Sequence, residues 1–377
     1  MRTERFFNMI RVLIGFLAGY SVCTGTSIVF PAFNAPIVTE DAIFAHHTYG
    51  KSLICIDRKC DTVRWRFKAP TPIERAWIVS NRTIAIVSAN KVSILDSSRG
   101  SILKSWFITG HVFGGMRNGN ILSETRNDEV VCTELNTGMQ LWKHECQEPH
   151  SNLWPVLADD LIFIGLDPRS IMTRFDGRTR QITMKGTNAV VCLSAKLGMP
   201  LWNESVPLSN HGLGVHLQVS KGLDRLLCMT DNSLRLVDRK SGRIVSRWDH
   251  KDDDIDGADF WGDGRMAVCF GGIGATKRTI RMLGAADFKT KAEFTARALE
   301  VASVKVVGDV MILDSLYRSI GVDLRSQKTI WEKGQRHYTI KDGLLYFGEN
   351  QNGKRVLGVC DPKNGRDTEI YSEPVME

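Results

Sequence analysis

The sequence predicts an all-β fold built from eight copies of one strand pattern, and three observations point to it. First, the stretch Val190–Ser205 (VVCLSAKLGMPLWNES) has a near copy at Val130–Glu145 (VVCTELNTGMQLWKHE). Second, each copy alternates apolar and polar residues, turns, and places an aromatic residue on the following strand. Third, the template recurs about every forty residues, the period of a four-stranded blade. Together these observations predict an eight-bladed β-propeller of four-stranded antiparallel blades.

An anchor residue marks the turn in each copy. The anchors are Asp57, Asp96, Glu134, Ser194, Asp238, Ala285, Asp323 and Asp361. Aromatic residues follow eight positions later at Trp65, Trp142, Trp202 and Trp331, or ten positions later at Trp106, Trp248 and Tyr371. Positions two apart share a strand face, so we expect all of these aromatic side chains to dock against the neighbouring blade. Blade six departs most, with Ala285 and Lys289 where other copies have Asp and Gly.

A hydrophobic hairpin precedes every anchor and supplies the first two strands of each blade. These hairpins turn at polar or glycine-containing pairs, such as Asn118-Gly119 and Asp342-Gly343. The first hairpin begins at Pro36, so the sequence predicts one eight-bladed ring over residues 36–377. Closing that ring requires the strand after Pro36 to lie against the last blade, near Val356–Tyr371.

The combination of anchor Asp, glycine-containing turn and docking Trp resembles the pyrrolo-quinoline-quinone-like β-propeller repeats. In overall architecture the chain resembles the BamB type, an envelope lipoprotein made of one eight-bladed propeller that supports outer-membrane protein assembly. The resemblance extends from about Pro36 to the C-terminus. It implies the fold more specifically than the function, because this repeat occurs in enzymes, scaffolds and sensor ectodomains.

Quinoprotein dehydrogenases share this repeat. For them the resemblance implies a quinone stacked on a disulfide between adjacent cysteines, with a calcium ion and a catalytic Asp beside it. This sequence has no two adjacent cysteines and no HExxH, GxSxG or CxxC motif. We therefore expect a non-enzymatic protein without a quinone cofactor, and a quinone-dependent dehydrogenase is the remaining enzymatic alternative.

The first thirty residues differ from the repeats. Three arginines, Arg2, Arg5 and Arg11, precede the apolar run Val12–Cys23, which has the length of a secretory signal core and is short for a spanning helix. We expect residues 1–30 to be a cleaved signal, with an uncleaved anchor through Phe30 as the alternative. Lipidation at Cys23 is a further alternative, although Val22 replaces the small residue usual there. Each of these predicts a protein that is exported to the periplasm or anchored facing it.

Charge and cysteine usage exclude some classes of partner and crosslink. The net charge of +7 falls to +5 without the first thirty residues, too mild for nucleic-acid binding, and the predicted form is a monomeric ring. Cys55, Cys132 and Cys192 each lie two residues before an anchor, in different blades, so we expect free core thiols. Cys55 and Cys60 are the one pair close enough in sequence to consider bridging.

One acidic segment fits a calcium site. Asp252, Asp254, Asp256 and Gly257 form a D-x-D-x-D-G pattern, with Asp263 at its twelfth position. Carboxylates at alternate positions around a glycine turn suit Ca²⁺, whereas a bidentate Glu is usual at the twelfth position. The sequence therefore gives two alternatives here, a calcium site formed by the three aspartates or a solvated acidic loop.

The step between the anchors of blades three and four is 60 residues, some twenty more than the period. The surplus lies in Leu166–Asn188. It carries basic and apolar residues that we expect to bind a protein partner: Arg169, Arg174, Phe175, Arg178 and Arg180. The alternative is a long solvated hairpin, because surface insertions are tolerated at low cost.

By analogy of fold, the sequence predicts a protein-binding scaffold of the cell envelope, with an envelope or outer-membrane protein as its partner. A ligand- or polymer-sensing propeller ectodomain is the alternative.

Overall fold

The predicted fold class is confirmed. The computed structural model describes residues 35–374 except 48–49, 109, 116–119, 126–128, 147–149, 176–179, 186–187, 203–205, 210–214, 221–222, 231, 250–253, 263, 272–275, 299–300, 316–317, 335 and 353. These residues form eight antiparallel sheets arranged as an eight-bladed propeller. The predicted signal or anchor lies outside the described residues, which contain no helix able to span a membrane.

The strands of the first four blades follow one another in chain order. Blade one comprises β1 (Ile37–Val38), β2 (Ala42–His46), β3 (Ser52–Asp57) and β4 (Val63–Lys68). Blade two comprises β5 (Arg75–Ser80), β6 (Thr83–Ser88), β7 (Lys91–Asp96) and β8 (Ile102–Phe107). Blade three comprises β9 (His111–Gly115), β10 (Asn120–Glu124), β11 (Glu129–Glu134) and β12 (Gln140–Glu145). Blade four comprises β13 (His150–Ala158), β14 (Leu161–Phe175), β15 (Arg180–Lys185), β16 (Asn188–Ser194) and β17 (Val206–Ser209).

The last four blades repeat the same order. Blade five comprises β18 (His216–Val219), β19 (Arg225–Thr230), β20 (Ser233–Asp238) and β21 (Ile244–Asp249). Blade six comprises β22 (Asp254–Trp261), β23 (Arg265–Gly271), β24 (Lys277–Gly284) and β25 (Thr290–Arg297). Blade seven comprises β26 (Val301–Val307), β27 (Val310–Ser315), β28 (Arg318–Asp323) and β29 (Lys328–Gly334). Blade eight comprises β30 (His337–Lys341), β31 (Leu344–Gln351), β32 (Lys354–Asp361) and β33 (Arg366–Pro374).

The first strand of each blade lines the axis of the ring. First strands of neighbouring blades contact one another, as β5 does with β9, β13 with β18 and β22 with β26. The middle strands are almost wholly buried, because both faces of each sheet pack against a neighbouring blade. The fourth strands form the outer rim, where apolar side chains such as Phe107 remain exposed. The core is therefore a series of apolar layers between blades.

Blade one closes the ring against blade eight, as the repeat pattern requires. Strand β1 contacts β30, and Ile43 and Ile54 pack in one cluster with Tyr346 and Leu357. Polar contacts join the same two blades. Arg58 Nη2 lies 2.9 Å from Asp342 Oδ2 and donates to Tyr346 Oη at 2.8 Å.

The tryptophans eight residues after an anchor connect four of the blades to the blade that follows. All four are buried: Trp65, Trp142, Trp202 and Trp331. Trp65 Nε1 donates to the carbonyl of Ser97 at 2.9 Å, one residue after the next anchor. Equivalent bonds join Trp142 to Ala195 at 3.1 Å, Trp202 to Arg239 at 3.3 Å and Trp331 to Pro362 at 2.7 Å. Each indole thus buries its ring and satisfies its N–H in one contact.

Aromatic residues ten positions after the anchor dock differently. Trp106 and Trp248 are only half-buried, although the sequence predicted one role for both sets. Trp106 lies over Gly138 of the next blade, but its buried Nε1 has no hydrogen-bond partner among the described residues. Trp248 packs edge-on against Phe270 of blade six, with ring centroids 5.2 Å apart.

The anchor of blade six is Gly284, one residue before the predicted Ala285. Phe288 N donates to Gly284 O at 2.8 Å, and Phe288 has a φ of 52°. In blade two the same bond joins Gly100 N to Asp96 O, and Gly100 has a φ of 68°. The left-handed residue thus falls four positions after the anchor in both turns. With Gly284 as the anchor, Phe294 falls ten positions later, as Trp106 and Trp248 do in their blades.

The anchor carboxylates hold their turns closed. Asp96 Oδ1 accepts from the amides of Ser98 at 2.8 Å and Arg99 at 3.0 Å. Asp323 Oδ1 accepts in the same way from Arg325 and Ser326. These contacts satisfy amides that the turn leaves without a strand partner, which explains the preference for Asp at the anchor.

The eight cysteines beyond the N-terminal segment are unbridged, as predicted, and six of them are buried. Cys60 Sγ lies 3.0 Å from Thr62 Oγ1, so Cys55 and Cys60 form no disulfide. Burial raises the pKa of the Cys55 thiol to about 12 and that of Cys132 to about 11. Such thiols are protonated and unreactive at neutral pH.

Replacing Trp202 with Ala should lower the free energy of unfolding by about 3–5 kcal/mol, because the change removes a large buried side chain between two blades. Reversible chemical denaturation measures this loss. The control is Phe107→Ala on the rim, where the side chain is 78% exposed and a small effect is expected. A loss below about 1 kcal/mol for Trp202→Ala would contradict the interblade role.

Acid should weaken the turns. The hydrogen bond from Arg64, followed by that from the Lys59 amide, lowers the pKa of Asp57 to about 2. A carboxyl with a depressed folded pKa stabilises the fold above its unfolded pKa of about 3.9 and loses that contribution as pH falls through the folded value. The melting temperature should therefore drop between about pH 4 and pH 2, and less steeply in Asp57→Asn. The exposed Asp160→Asn variant should follow the wild type; identical profiles for all three proteins would refute the assignment.

Candidate functional site

The two ends of the ring carry different structures. The anchor turns lie at one end together with the turns between first and second strands, which we call the anchor end. First strands begin and fourth strands finish at the other end, which we call the open end. Pairing in the antiparallel blades fixes this arrangement, so the end at which a segment lies follows from its strand.

The surplus residues lie within blade four, between its second and third strands, and form a long hairpin at the open end. Strand β14 pairs with β16 from Leu161 to Leu166 and then continues beyond the blade. Its outer part pairs with β15, from Arg169 opposite Lys185 to Phe175 opposite Arg180. The extension is therefore a second two-stranded sheet attached to blade four, here called the blade-four hairpin (residues 167–187).

The predicted partner-binding residues belong to this hairpin. Arg169, Arg174 and Phe175 lie on β14 and Arg180 lies on β15, whereas Arg178 lies outside the described residues. The backbone pairing brings both ends of the basic segment onto one hairpin, since Phe175 and Arg180 are register partners. Their role in binding stays a prediction.

The acidic segment is a strand with a bulge. Asp254 on β22 pairs with Gly271 on β23, and a register shift between Ile255 and Gly257 leaves Asp256 as the bulged residue. The carboxylate of Asp256 lies 2.7 Å from Arg278 Nε, and both side chains are buried. The Arg278 guanidinium therefore already balances the charge of the Asp256 carboxylate.

The calcium site stays a prediction. Asp252 lies outside the described residues, so the three carboxylates are not seen together. Within the described part of the chain, no three His, Cys, Asp or Glu side chains form a group that could hold a metal ion.

Two adjacent histidines of blade one, His46 and His47, are buried. Burial lowers the pKa of His46 to about 4, and His47 Nε2 lies 2.8 Å from Glu373 Oε1.

A cavity of about 170 Å³ lies beside the axis between blades five, six and seven. It is lined by His216 and Gln218 from β18, Asp256 and Gly257 from β22, and Ser303 from β26. The Gln218 amide donates to Asp259, and Ser303 Oγ donates to Asp314 Oδ2 at 3.1 Å. The wall is thus part polar and part apolar, which suits a small polar molecule.

Sequence analysis missed the basic residues around the axis at the open end. Five first strands begin with an arginine or a histidine: Arg75, His111, His150, His216 and His337. Arg75 Nη1 donates to the carbonyl of Phe113 at 2.8 Å, and Arg75 Nη2 lies 3.1 Å from His111 Nε2. A recurring spacing was the available signal, because Arg75, His111, His216 and His337 precede their anchors by 21 to 24 residues.

Comparison with known proteins supports the fold. No family model and no curated protein matches the chain. BamB from Moraxella catarrhalis has a TM-score of 0.58 and 13% identity, covering 84% of this chain and 91% of that one. Sqt1 from Saccharomyces cerevisiae has a TM-score of 0.57 and 9% identity, covering 91% and 96%. The quinohemoprotein alcohol dehydrogenase ADHIIG from Pseudomonas putida HK5 has a TM-score of 0.56 and 10% identity, covering 86% and 70%.

At these identities the similarity is one of fold alone. BamB, Sqt1 and a dehydrogenase are all among the similar structures, so the comparison supports the propeller fold and leaves the function open.

Added calcium should raise the melting temperature of chelator-treated protein if the acidic segment binds it, because a ligand of the native state stabilises by mass action. The Asp252→Asn/Asp254→Asn double variant should lose the shift. It leaves the Asp256–Arg278 pair intact, so the loss would not report an unpaired buried arginine. An unchanged melting temperature in millimolar calcium would exclude the site.

Proposed function

We propose that this chain is an exported, non-enzymatic scaffold of the cell envelope that binds an envelope or outer-membrane protein through the blade-four hairpin. The observation that carries this proposal is the hairpin itself. It is the place where a regular ring adds a basic, partly apolar segment that its own blades do not need, since the pairing of β14 with β16 is complete at Leu166. Segments of this kind on a rigid scaffold commonly carry binding.

The composition of the hairpin fits a protein partner. Arg174, Phe175 and Arg178 are close in sequence, and arginine and aromatic residues contribute most to interface energies. The similarity to BamB in fold and chain coverage supports an envelope role by analogy. Arginines on the hairpin would steer an acidic partner surface and make association depend on salt.

A ligand-sensing propeller is the second candidate, and the cavity between blades five, six and seven favours it. Its polar lining residues come from three blades, so a bound molecule would connect them. The two candidates differ in which part of the ring binds: the hairpin in a scaffold, or the axial cavity in a sensor.

Replacing Arg169–Lys185 with a short Gly-Ser turn should leave the melting temperature nearly unchanged, because the pairing of Leu161–Leu166 within blade four is retained. The same change should abolish or strongly weaken capture of the partner from solubilised envelope membranes. Pull-down with quantitative mass spectrometry measures the yield of each captured protein.

A second variant keeps the hairpin and changes Arg169, Arg174, Arg178 and Arg180 to Gln. The matched control makes the same number of charge changes at exposed anchor-end residues: Arg82, Arg99, Lys196 and Lys363. Capture should fall in the hairpin variant and persist in the control. Equal capture by the wild type and by the Gly-Ser variant would place the binding surface elsewhere on the ring.

A further inference from the structure

We propose that the axial mouth at the open end binds the carboxylates of an acidic peptide segment, with Arg75 as its principal cation and His111 beside it. This inference rests on the proposed scaffold function, since it assigns a charge to a segment of the partner. It concerns a different surface from the hairpin, namely the mouth formed by the beginnings of the first strands.

Among the described residues Arg75 forms no ion pair with a carboxylate, and the acid that acts on its charge is the neighbouring Glu74. Its guanidinium meets a carbonyl oxygen of Phe113 at 2.8 Å and the imidazole of His111 at 3.1 Å. The adjacent Glu74 accepts a bond from the amide of Ala89 at 3.0 Å, and the described residues contain no ion pair of Arg75 with a carboxylate. A guanidinium presents five N–H donors in a planar fork that suits carboxylates.

Other arginines that the fold buries are matched by acids. Arg336 Nε lies 2.7 Å from Glu349, and its Nη1 lies 3.0 Å from Asp367. Arg235 Nη2 lies 2.6 Å from Asp249. A partly desolvated cation without such a partner attracts an anion more strongly than a solvated one, because the surrounding dielectric is low.

The mouth is enclosed yet open to solvent. Arg75, His111, His216 and His337 all have exposed surface, whereas burial lowers the pKa of each of these groups. Side chains on the wall of a narrow opening have both properties, since water reaches them while protein surrounds them. An incoming carboxylate would therefore meet several hydrogen-bond donors in a partly dehydrated space.

The charges around the mouth are asymmetric. Blades two and three contribute Arg75 and His111, whereas β22 of blade six, on the opposite side of the eight-membered ring, begins with Asp254. The blade-four hairpin extends from the same end as the mouth. Blade three, which carries His111, is next to blade four, so a partner held by the hairpin can place an acidic segment against His111 and the adjoining Arg75.

Binding of a fluorescein-labelled oligoglutamate peptide, measured by fluorescence anisotropy, tests the site. The wild type should bind the peptide, and Arg75→Gln should bind it at least about tenfold more weakly, since a charge-assisted hydrogen bond is lost. Arg82→Gln is the matched control, because it removes the same charge from the same blade at the anchor end. Its affinity should equal that of the wild type, and circular dichroism with a melting curve verifies that each variant is folded.

Three outcomes would overturn the proposal: no peptide binding by the wild type, equal affinities for wild type and Arg75→Gln, or an equal loss in Arg82→Gln. The hairpin variant separates this site from the scaffold proposal. If the Gly-Ser variant still captures envelope partners while Arg75→Gln loses the peptide, the hairpin assignment fails and the mouth stands. If capture is lost in the Gly-Ser variant and Arg75→Gln retains full peptide affinity, the hairpin stands and the mouth fails.

Discussion

The ring depends on the contact between a tryptophan indole and the backbone of a glycine in the next blade. Where a tryptophan lies eight residues after an anchor, the next blade has a left-handed glycine beneath it: Trp65 over Gly100, Trp142 over Gly198, Trp202 over Gly242 and Trp331 over Gly365. A Cβ at Gly198 would fall 2.4 Å from the ring of Trp142, so no other residue fits. The three turns with Asp61, Phe288 and Gln327 instead follow blades that lack a tryptophan at this position. The tryptophan of one repeat and the glycine of the next repeat therefore form a single contact between two blades.

Sequence reasoning predicted this fold because most repeats carry a local signature of an anchor residue, a turn and an aromatic residue. An anchor Asp, a turn and an aromatic residue lie within about ten positions, so neither long-range contacts nor homologues were needed to find them. Blade six was misplaced by one residue because Gly284 offers no carboxylate, and Asp287 Oδ1 accepts the Lys289 amide instead. A Cβ at Gly284 would lie 2.4 Å from Asp287 Oδ1, so a side chain at the anchor would require this aspartate to move. The difference between aromatic positions eight and ten was also missed, since strand periodicity gives the face and not the depth of burial.

The candidate site was less accessible to sequence reasoning because its residues come from separate repeats. The aspartate spacing in Asp252–Asp256 suggests an ion site, but Arg278, which pairs with Asp256, lies on another strand. The basic mouth is invisible in any single repeat, since Arg75 and His111 meet only when two first strands converge at the axis. By contrast, the blade-four hairpin was evident from the interrupted period alone. A sequence therefore reveals an insertion that interrupts a repeat more readily than it reveals residues from separate repeats that meet only in the closed ring.

Several of the polar contacts that join neighbouring blades lie at the anchor end of the ring. At the anchor end, arginines meet acids from the preceding blade, as Arg58 does with Asp342 and Arg239 with Asp159. Changes there would disturb the contacts that join the blades. At the open end, strands begin and finish without taking part in the indole contacts, so their first residues can vary while the interblade layers stay intact. A long hairpin can be accommodated at this end, because the pairing of β14 with β16 within blade four is complete at Leu166.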